Sequence, residues 1–165
     1  MAADVLASPK LGATNDVLTE CSRTLTSSGV LEALKLLNAR TRFRFTGVYQ
    51  AEPPNLRNVS LFDRENPTLN VSGEVKLIDD SYCTFPCATA QPFSTENSAT
   101  DRRLLDHAAR NAVISYVGVP IRLGSGHVWG TLCHYDVRPR SLSPGELDVL
   151  ETVAPLFKEW LAQPF

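Results

Sequence analysis

The sequence predicts one α+β domain, with a central antiparallel β-sheet of five or six strands, terminal helices on one face, and short helices and loops covering a pocket on the other. Three observations lead to this fold class. Several segments alternate apolar and polar residues with a period of two, which is typical of strands. Short polar or glycine-bearing turns join neighbouring strands, as antiparallel pairing allows. Helical repeats of apolar residues lie near both ends of the 165-residue chain, whose length suits one hydrophobic core.

The sequence of the first third of the chain predicts helical segments followed by a strand. Residues 1–15 are rich in Ala, Ser, Pro, Gly and Thr, so we expect a flexible leader before a single domain that covers residues 16–165. Asp16 is a suitable N-cap, and apolar residues then recur at helical spacing on both sides of Gly29. This pattern predicts two short helices, or one helix broken at the glycine. The alternation over residues 42–49 predicts the first strand.

The middle of the chain predicts a meander followed by short helices. Residues 56–62 and 75–78 have strand character. Asp79-Asp80 can cap a short helix that reaches about residue 90, although the proline inside it distorts the turn. Residues 91–100 are predicted as a loop, and the pattern Ser98-x-x-Asp101 predicts a helix that ends near residue 112.

The last third predicts a hairpin and a terminal helix. Residues 116–123 and 127–136 alternate on either side of a Gly-Ser-Gly turn, which is typical of a β-hairpin. The run Ser143-Pro144-Gly145-Glu146 combines an N-cap, a proline at the first helical position and a glutamate at the third. A helix with a long apolar stripe follows, and Pro155 is expected to kink it.

Composition excludes several classes of function. The chain is 43% hydrophobic and 21% charged, with a formal net charge of -2, so it lacks the basic surplus of a general nucleic-acid binder. No stretch approaches the roughly 18 consecutive apolar residues of a membrane span, and the start has no signal-peptide pattern. We therefore expect a cytoplasmic protein without a nucleic-acid or membrane partner. The four cysteines are then best interpreted as reduced thiols.

Several motifs resemble the GAF domain. They are Tyr116-Val-Gly-Val-Pro-Ile-Arg, then Gly126-His-Val-Trp-Gly-Thr-Leu-Cys-His-Tyr-Asp136, and then the Ser-Pro-x-Glu-Leu helix start. The stretch Asp80-Ser-Tyr-Cys83, followed by Gln91-Pro-Phe93 and Asp101-x-Arg-x-Leu, is similar to the family as well. The likeness covers about residues 28–163. It implies a stand-alone, bacterial-type sensory module with a small-molecule pocket on one face of its sheet. It also implies a homodimer through the terminal helices and a separate signalling protein that receives the output.

Two ligand-binding subclasses of this family do not match the residues. Cyclic-nucleotide-binding members carry Asn-Lys, Phe and Asp-Glu after the last strand, where this chain has Asp136-Val137, Leu142 and Glu146-Leu147. Bilin-binding members attach their chromophore to a Cys-His pair, where this chain has Asp106-His107. We therefore expect neither a cyclic nucleotide nor a covalently bound tetrapyrrole at those positions, and no cofactor. The ligand stays unknown.

The predicted ligand site depends on the register of the hairpin. If residue numbers in a pair add to about 250, Tyr116 lies opposite His134, and two glycines, Gly118 and Gly130, share their face. We predict that these glycines leave space beneath the two rings, as a concave ligand site requires. The candidate ligand-binding residues are Tyr82, Phe85, Phe93, Asp101, Leu105, Tyr116, Gly118 and His134. The alternative is that the same side chains fill a small core.

The cysteines support an alternative function. Cys83 and Cys87 stand four residues apart, so a regular helix would place both thiols on one face as a redox pair or half of a metal site. Zinc needs further ligands, and Cys133 and His134 point to opposite faces of a strand, so no metal site is predicted. Buried structural thiols are the favoured interpretation. The alternative to a non-enzymatic sensor is a redox enzyme of the free methionine sulfoxide reductase type that uses Cys83, Cys87 and Cys133, although that family's Gly-x-Cys-Gly motif is not matched.

Overall fold

An antiparallel sheet separates two layers of unequal thickness. The structure is a computed structural model and describes the backbone of residues 2–161 and the side chains of residues 14–161. The helices are α1 (Ala2–Ser28), α2 (Val30–Asn38), α3 (Thr84–Thr89) and α4 (Pro144–Leu161), and the strands are β1 (Phe45–Glu52), β2 (Asn55–Asp63), β3 (Val75–Leu77), β4 (Phe93–Thr95), β5 (Ser115–Arg122) and β6 (Val128–Asp136).

The sheet has six strands in the order β3-β2-β1-β6-β5-β4, and every neighbouring pair is antiparallel. Consecutive strands β1 and β2, β2 and β3, and β5 and β6 are neighbours, as the short connections predict. Strands β1 and β6, the first and last strands along the chain, pair with each other at the centre of the sheet. The predicted α+β fold with a central antiparallel sheet is confirmed.

Three helices cover what we call the helix-side face of the sheet. Helix α4 packs on β5 and β6, α2 packs on β1 and β2, and α1 packs on α2 and α4. Together they bury an aliphatic cluster in which Leu34, Leu132 and Phe157 are fully enclosed. Burying each such side chain stabilises the fold by about 1.5–3 kcal/mol. Gly29 lies between α1 and α2 with φ 92°, a value that favours glycine, so the predicted break in the helix is confirmed.

Short elements cover the opposite face, which we call the thiol-side face. The cover consists of residues 78–90 and 101–113. The first stretch contains a 3-10 turn, Ile78–Asp80, followed by α3, and the second contains a 3-10 turn, Arg102–Leu104. These pieces are too short to be stable alone, so their packing against the sheet holds them in place.

Two local predictions in this region are wrong. Residues 93–95, predicted as part of a loop, form β4 and pair with β5 from Tyr116 to Gly118. The predicted helix over residues 98–112 is reduced to the turn Arg102–Leu104. The reason is local competition for backbone groups: Ser98 Oγ donates to the Arg110 carbonyl over 2.7 Å, and His107 Nδ1 accepts from the Ala109 N–H over 3.0 Å.

Helix α1 begins at Ala2, within the stretch that composition assigns to a leader. Alanines and leucines are good helix formers, and they extend the helix that packs on α2 and α4 further towards the N-terminus. The division into a flexible leader (residues 1–15) and a domain (residues 16–165) stays a prediction. None of the helices that the structure describes has the length and apolar character needed to span a bilayer.

Candidate functional site

The register of the β5–β6 hairpin differs by one residue from the prediction. Next to the turn, Arg122 pairs with Val128 as predicted, but Ile121 pairs with Gly130, which leaves Trp129 unpaired in a β-bulge. From there on every pair is shifted, so Tyr116 lies opposite Tyr135 rather than His134. A shift of one residue moves each side chain of β6 to the other face of the sheet.

His134 therefore lies on the helix-side face, and its assignment to the ligand site is wrong. Its ring stacks on Phe43 with 5.8 Å between ring centroids, and its Nδ1 atom lies 2.6 Å from Thr46 Oγ1. Nε2 is buried and has no hydrogen-bond partner among the described residues. Burial, and to a smaller extent the charge of Arg64, lower the pKa of His134 to about 3. The residue is a neutral core histidine.

The two glycines do not leave the predicted empty volume. A Cβ atom on Gly118 would collide with the ring and hydroxyl of Tyr116, because that ring lies directly over the glycine. A Cβ atom on Gly130 would collide with the backbone of Tyr49. The glycines instead allow a ring to lie against β5 and two strands to approach closely.

A small cavity remains on the thiol-side face, between the sheet and the cover. Its volume is about 30 Å³, which is room for about one water molecule. The exposed residues Lys76 and Asp80 belong to its lining, so we place its mouth between them. Its interior is lined mainly by tyrosines and cysteines: Tyr49, Tyr82, Cys83, Tyr116, Cys133 and Tyr135. We call this space the thiol cavity.

The structure brings together only part of the predicted site. Tyr82 and Tyr116 line the thiol cavity, and their rings meet edge to face at 5.7 Å. Phe85 and Phe93 stack on each other at 4.3 Å and pack in the same buried cluster beside the cavity. Gly118 lies beneath the Tyr116 ring.

Two predicted residues lie away from the thiol cavity. Asp101 caps the turn Arg102–Leu104, where its carboxylate accepts from the Arg103 N–H over 3.0 Å and forms an ion pair with the Arg103 side chain at 2.6 Å. The hydrogen bond from that side chain lowers the pKa of Asp101. Leu105 is 57% exposed. Both belong to the outer surface of the cover.

Cys83 accepts two hydrogen bonds from side chains around the cavity. Its sulfur accepts a hydrogen bond from Thr131 Oγ1 over 3.1 Å and another from the Tyr116 hydroxyl over 3.3 Å. Burial opposes ionisation, but hydrogen bonds with Cys133, Ser81, Thr131 and Tyr116 outweigh it and lower the pKa of Cys83 to about 6. A thiolate is the nucleophilic form of cysteine, so this arrangement favours reactivity.

Cys133 is the partner of Cys83, and Cys87 is not. Burial, with the hydrogen bond and charge of Cys83, raises the pKa of Cys133. Cys87 does not line the cavity. Burial raises the pKa of the Cys87 thiol to about 12. The cavity thus brings Cys133 rather than Cys87 beside Cys83, and a redox role for Cys83 and Cys87 stays a prediction.

Sequence reasoning missed several residues of the cavity region, among them Tyr49, Thr131 and Tyr135. Tyr49 and Tyr135 line the cavity and share a hydrogen bond of 2.8 Å between their hydroxyls, and Thr131 binds the Cys83 sulfur. The alternation in β1 places Tyr49 on the same face as Gly47, which is a usable signal for that residue. Thr131 and Tyr135 depend on the bulge at Trp129, which no local pattern announces.

Larger clefts exist elsewhere on the surface. A cleft of about 280 Å³ lies between α4 and the end of β5, lined by Arg122, Glu151 and Pro155 among others, and contains none of the predicted site residues. Within residues 14–161, no group of three or more His, Cys, Asp or Glu side chains is placed to hold a metal ion.

Comparisons with known proteins agree with the fold. The family model of the GAF domain matches residues 23–157. No curated protein sequence matches the chain significantly.

Solved structures with the same fold have diverse functions. One is the GAF domain of a phosphoenolpyruvate-protein phosphotransferase from Acinetobacter, with 15% identity, a TM-score of 0.70, and coverage of 91% of this chain and 93% of that chain. Another is a free methionine-R-sulfoxide reductase from Neisseria meningitidis, with 12% identity, a TM-score of 0.69, and coverage of 89% and 87%. A third is a phycocyanobilin-bound GAF domain of a cyanobacterial phytochrome, with 18% identity, a TM-score of 0.62, and coverage of 91% and 94%.

At these identities the three structures share only the fold with this chain, and fold does not determine the ligand. The family model, however, spans most of the sequence, from within α1 to within α4. This chain belongs to the GAF domain family.

Proposed function

We propose that this GAF domain is a sensor that binds a small polar molecule in the thiol cavity and has no catalytic activity of its own. The observation that carries the proposal is a cavity with an opening to the surface, in which the hydroxyl of Tyr116 and the thiols of Cys83 and Cys133 meet. A few polar groups inside a mainly aromatic wall are typical of small-molecule sites.

The size of the cavity limits the ligand. At about 30 Å³, it admits a molecule of one or two non-hydrogen atoms unless the cover moves. The cover consists of turns and a helix of six residues, and short elements with few buried contacts are the first to open locally. Binding of a larger molecule would therefore require displacement of the cover from the sheet.

The same arrangement supports a way to transmit binding. A ligand in the thiol cavity would contact β5 and β6 through Tyr116 and Cys133, and the opposite faces of these strands pack under α4, which in turn packs on α1. A ligand that prefers one arrangement of the strands would shift the helices as well. A separate signalling protein, or a second copy bound through the terminal helices, would receive that change.

Titration with small probes tests the proposal. Methanol and methylamine, each with two non-hydrogen atoms, should shift the amide resonances of residues that line the thiol cavity when they are added to ¹⁵N-labelled protein. The variant Ala109→Leu should abolish these shifts, because Ala109 is buried in the cavity wall. The matched control, Ala112→Leu, changes an exposed alanine three residues away and should bind as the wild type does. Shifts that persist in Ala109→Leu, or no shifts with any probe, would contradict the proposal.

The enzymatic alternative is tested separately. A reductase of free methionine sulfoxide that uses Cys83, Cys87 and Cys133 would oxidise its thiols in step with substrate loss. An assay with free methionine-R-sulfoxide and a dithiol reductant should show no turnover above the uncatalysed rate if the domain is a sensor. Turnover that depends on Cys83 would make the chain an enzyme.

A further inference from the structure

We infer that the thiol cavity senses hydroperoxides, and that a hydroperoxide entering it converts Cys83 and Cys133 into a disulfide. This inference rests on the proposed function, because it places the chemistry in the same cavity and names the class of molecule sensed.

Two thiols from distant parts of the chain meet at this cavity. Cys83 lies at the start of α3 in the cover, and Cys133 lies on β6 at the centre of the sheet. Both are buried, with exposed fractions of 1% and 0%, and both line the same space. Each thiol also shifts the pKa of the other, as neighbouring groups do. A structural thiol needs only packing, whereas this pair shares an internal space with an opening to solvent.

The surroundings of Cys83 favour attack on an oxidant. Thr131 and Tyr116 donate hydrogen bonds to its sulfur, which stabilises negative charge there. After the thiolate has attacked one peroxide oxygen, the same two hydroxyls are available as donors to the departing oxygen. The sulfur of Cys87 has no such donors among the described hydrogen bonds and does not face the cavity.

The volume of the cavity selects the oxidant. A space of about 30 Å³ accommodates one or two non-hydrogen atoms beyond those of the protein. Hydrogen peroxide has two oxygens, so it fits, whereas an organic hydroperoxide with a bulky group does not. Lys76 and Asp80 at the mouth carry opposite charges, so entry does not favour a charged oxidant of either sign.

The chemistry balances with the peroxide as the oxidant. The Cys83 thiolate attacks one oxygen of hydrogen peroxide, an S–O bond forms, the O–O bond breaks, and the hydroxide that leaves takes up a proton to become water. The product is the sulfenic acid of Cys83. The Cys133 sulfur then attacks the sulfenic sulfur, an S–S bond forms, the S–O bond breaks, and the thiol proton of Cys133 leaves with the hydroxyl as a second water. Two electrons pass from the two sulfurs to the peroxide.

The disulfide would join the cover to the centre of the sheet. Cys83 would lose its charge, and Tyr116 and Thr131 would lose the acceptor of their hydrogen bonds. The strands beneath α4 would thus change their contacts when the oxidant arrives, which gives the domain two states.

The test begins with the wild-type protein, so it does not depend on any variant. The protein is treated with hydrogen peroxide, remaining thiols are alkylated, and peptides are mapped by mass spectrometry. We expect a Cys83–Cys133 disulfide, with Cys21 and Cys87 alkylated. We also expect cumene hydroperoxide to oxidise Cys83 at least about tenfold more slowly than hydrogen peroxide, because its aromatic group exceeds the cavity. A Cys83–Cys87 disulfide, equal rates with both oxidants, or an unmodified Cys83 would overturn the inference.

Variants identify the intermediate. In Cys133→Ser or Cys133→Ala, peroxide should leave a sulfenic acid on Cys83 that dimedone traps, since no second thiol is available. The matched control Cys87→Ser should form the disulfide at the wild-type rate. Circular dichroism establishes whether each variant folds. If one does not fold, the peptide map of the wild-type protein still decides whether the disulfide forms. Trapping on Cys87 instead of Cys83 would contradict the inference.

The probes separate this inference from the function on which it rests. Methanol and methylamine do not oxidise thiols. If they bind in the thiol cavity but peroxide produces no Cys83–Cys133 disulfide, the hydroperoxide inference fails and the small-molecule sensor stands. If no probe binds and the disulfide forms, the reversible ligand site fails while the chemistry at Cys83 is established.

Discussion

The two faces of the same sheet are built for different purposes. On the helix-side face, three helices cover aliphatic side chains, and the one histidine there, His134, is held neutral by burial. On the thiol-side face, turns and a six-residue helix cover tyrosines and cysteines whose polar atoms bond to one another. Neighbouring residues of β6, Leu132 and Cys133, belong to the two different faces. Because side chains alternate between the two faces along β6, this one strand contributes to the stabilising aliphatic core on one face and to the reactive thiols on the other.

The largest expected effect is on the helix-side face. Leu132→Ala should lower the free energy of unfolding by about 3 kcal/mol, because it leaves a cavity in a fully packed core. Cys133→Ala, one residue away on the other face, removes only a sulfur beside an existing cavity and should cost less than half as much. Urea unfolding at pH 7 measures both values. Equal losses would show that the two faces contribute alike and would break the comparison.

A second effect concerns the contact between a glycine and a ring. Gly118→Ala forces the Tyr116 ring to move, since the added Cβ atom would overlap it. We expect a loss of about 2 kcal/mol and weaker hydrogen bonding to Cys83. Gly124→Ala is the control, because its Cβ atom would approach nothing closer than Lys158 Nζ at 3.8 Å. That control should stay within about 0.5 kcal/mol of wild type in chemical unfolding. A similar loss in both variants would contradict the ring contact.

The two faces should also respond to different ranges of pH. Burial lowers the pKa of His134 from 6.5 to about 3, so below pH 6.5 the unfolded chain binds a proton that the folded one does not. Stability should therefore fall as the pH falls from 6.5 towards 3, by about 1 kcal/mol between pH 6.5 and 5.5. Unfolding of wild type and His134→Leu compared across this range isolates the contribution. If both lose stability in parallel, His134 is not responsible.

Cys83 should affect the stability of the fold at a higher pH than His134 does. Its hydrogen bonds lower its pKa from 9.0 to about 6, so the stabilisation is fully present above pH 9 and is lost as the pH falls through 6. Cys83→Ser should remove this dependence between pH 9 and 6 and leave the dependence below pH 6.5 in place. His134→Leu should do the reverse. A variant that removed the pH dependence of stability in both ranges would mean that the two faces are coupled.

The smallest expected effect sharpens the description of the thiol cavity. Tyr116→Phe removes one hydrogen bond to Cys83 and should cost about 1 kcal/mol. It should also raise the pKa of Cys83, because the thiolate loses a donor. The pH profile of alkylation by iodoacetamide measures that change. Tyr135→Phe is the matched control, since its hydroxyl bonds to Tyr49 rather than to Cys83, and an equal shift in that variant would contradict the assignment.

Much of the fold can be predicted from local pattern. Period-two alternation identified β1, β2, β5 and β6, and the break at Gly29 separated α1 from α2. The errors lie where local and tertiary demands compete. The strand β4 forms because β5 offers an unpaired edge, and the helix predicted over residues 98–112 gives way to side chains such as Ser98 and His107 that bond to the backbone.

The candidate site was predicted less completely, for a specific reason. One bulged residue, Trp129, shifts the hairpin by one position. That shift exchanges His134 for Tyr135 and Cys133 on the thiol-side face. It also pairs Cys83 with a thiol 50 positions along the chain (133 − 83) instead of one on its own helix. The residue types suited to a reactive pocket were therefore visible, but their grouping was not.

By itself the order of residues determined the α+β class, the strands of the central sheet and the chemical types available for a pocket, because alternation and turn residues act within a few positions. The tertiary structure alone decided which face each β6 side chain occupies, how little empty volume remains, and which thiols meet. Those outcomes depend on a bulge and on close packing between segments far apart in the chain, where a displacement of one residue reverses the face on which a group lies.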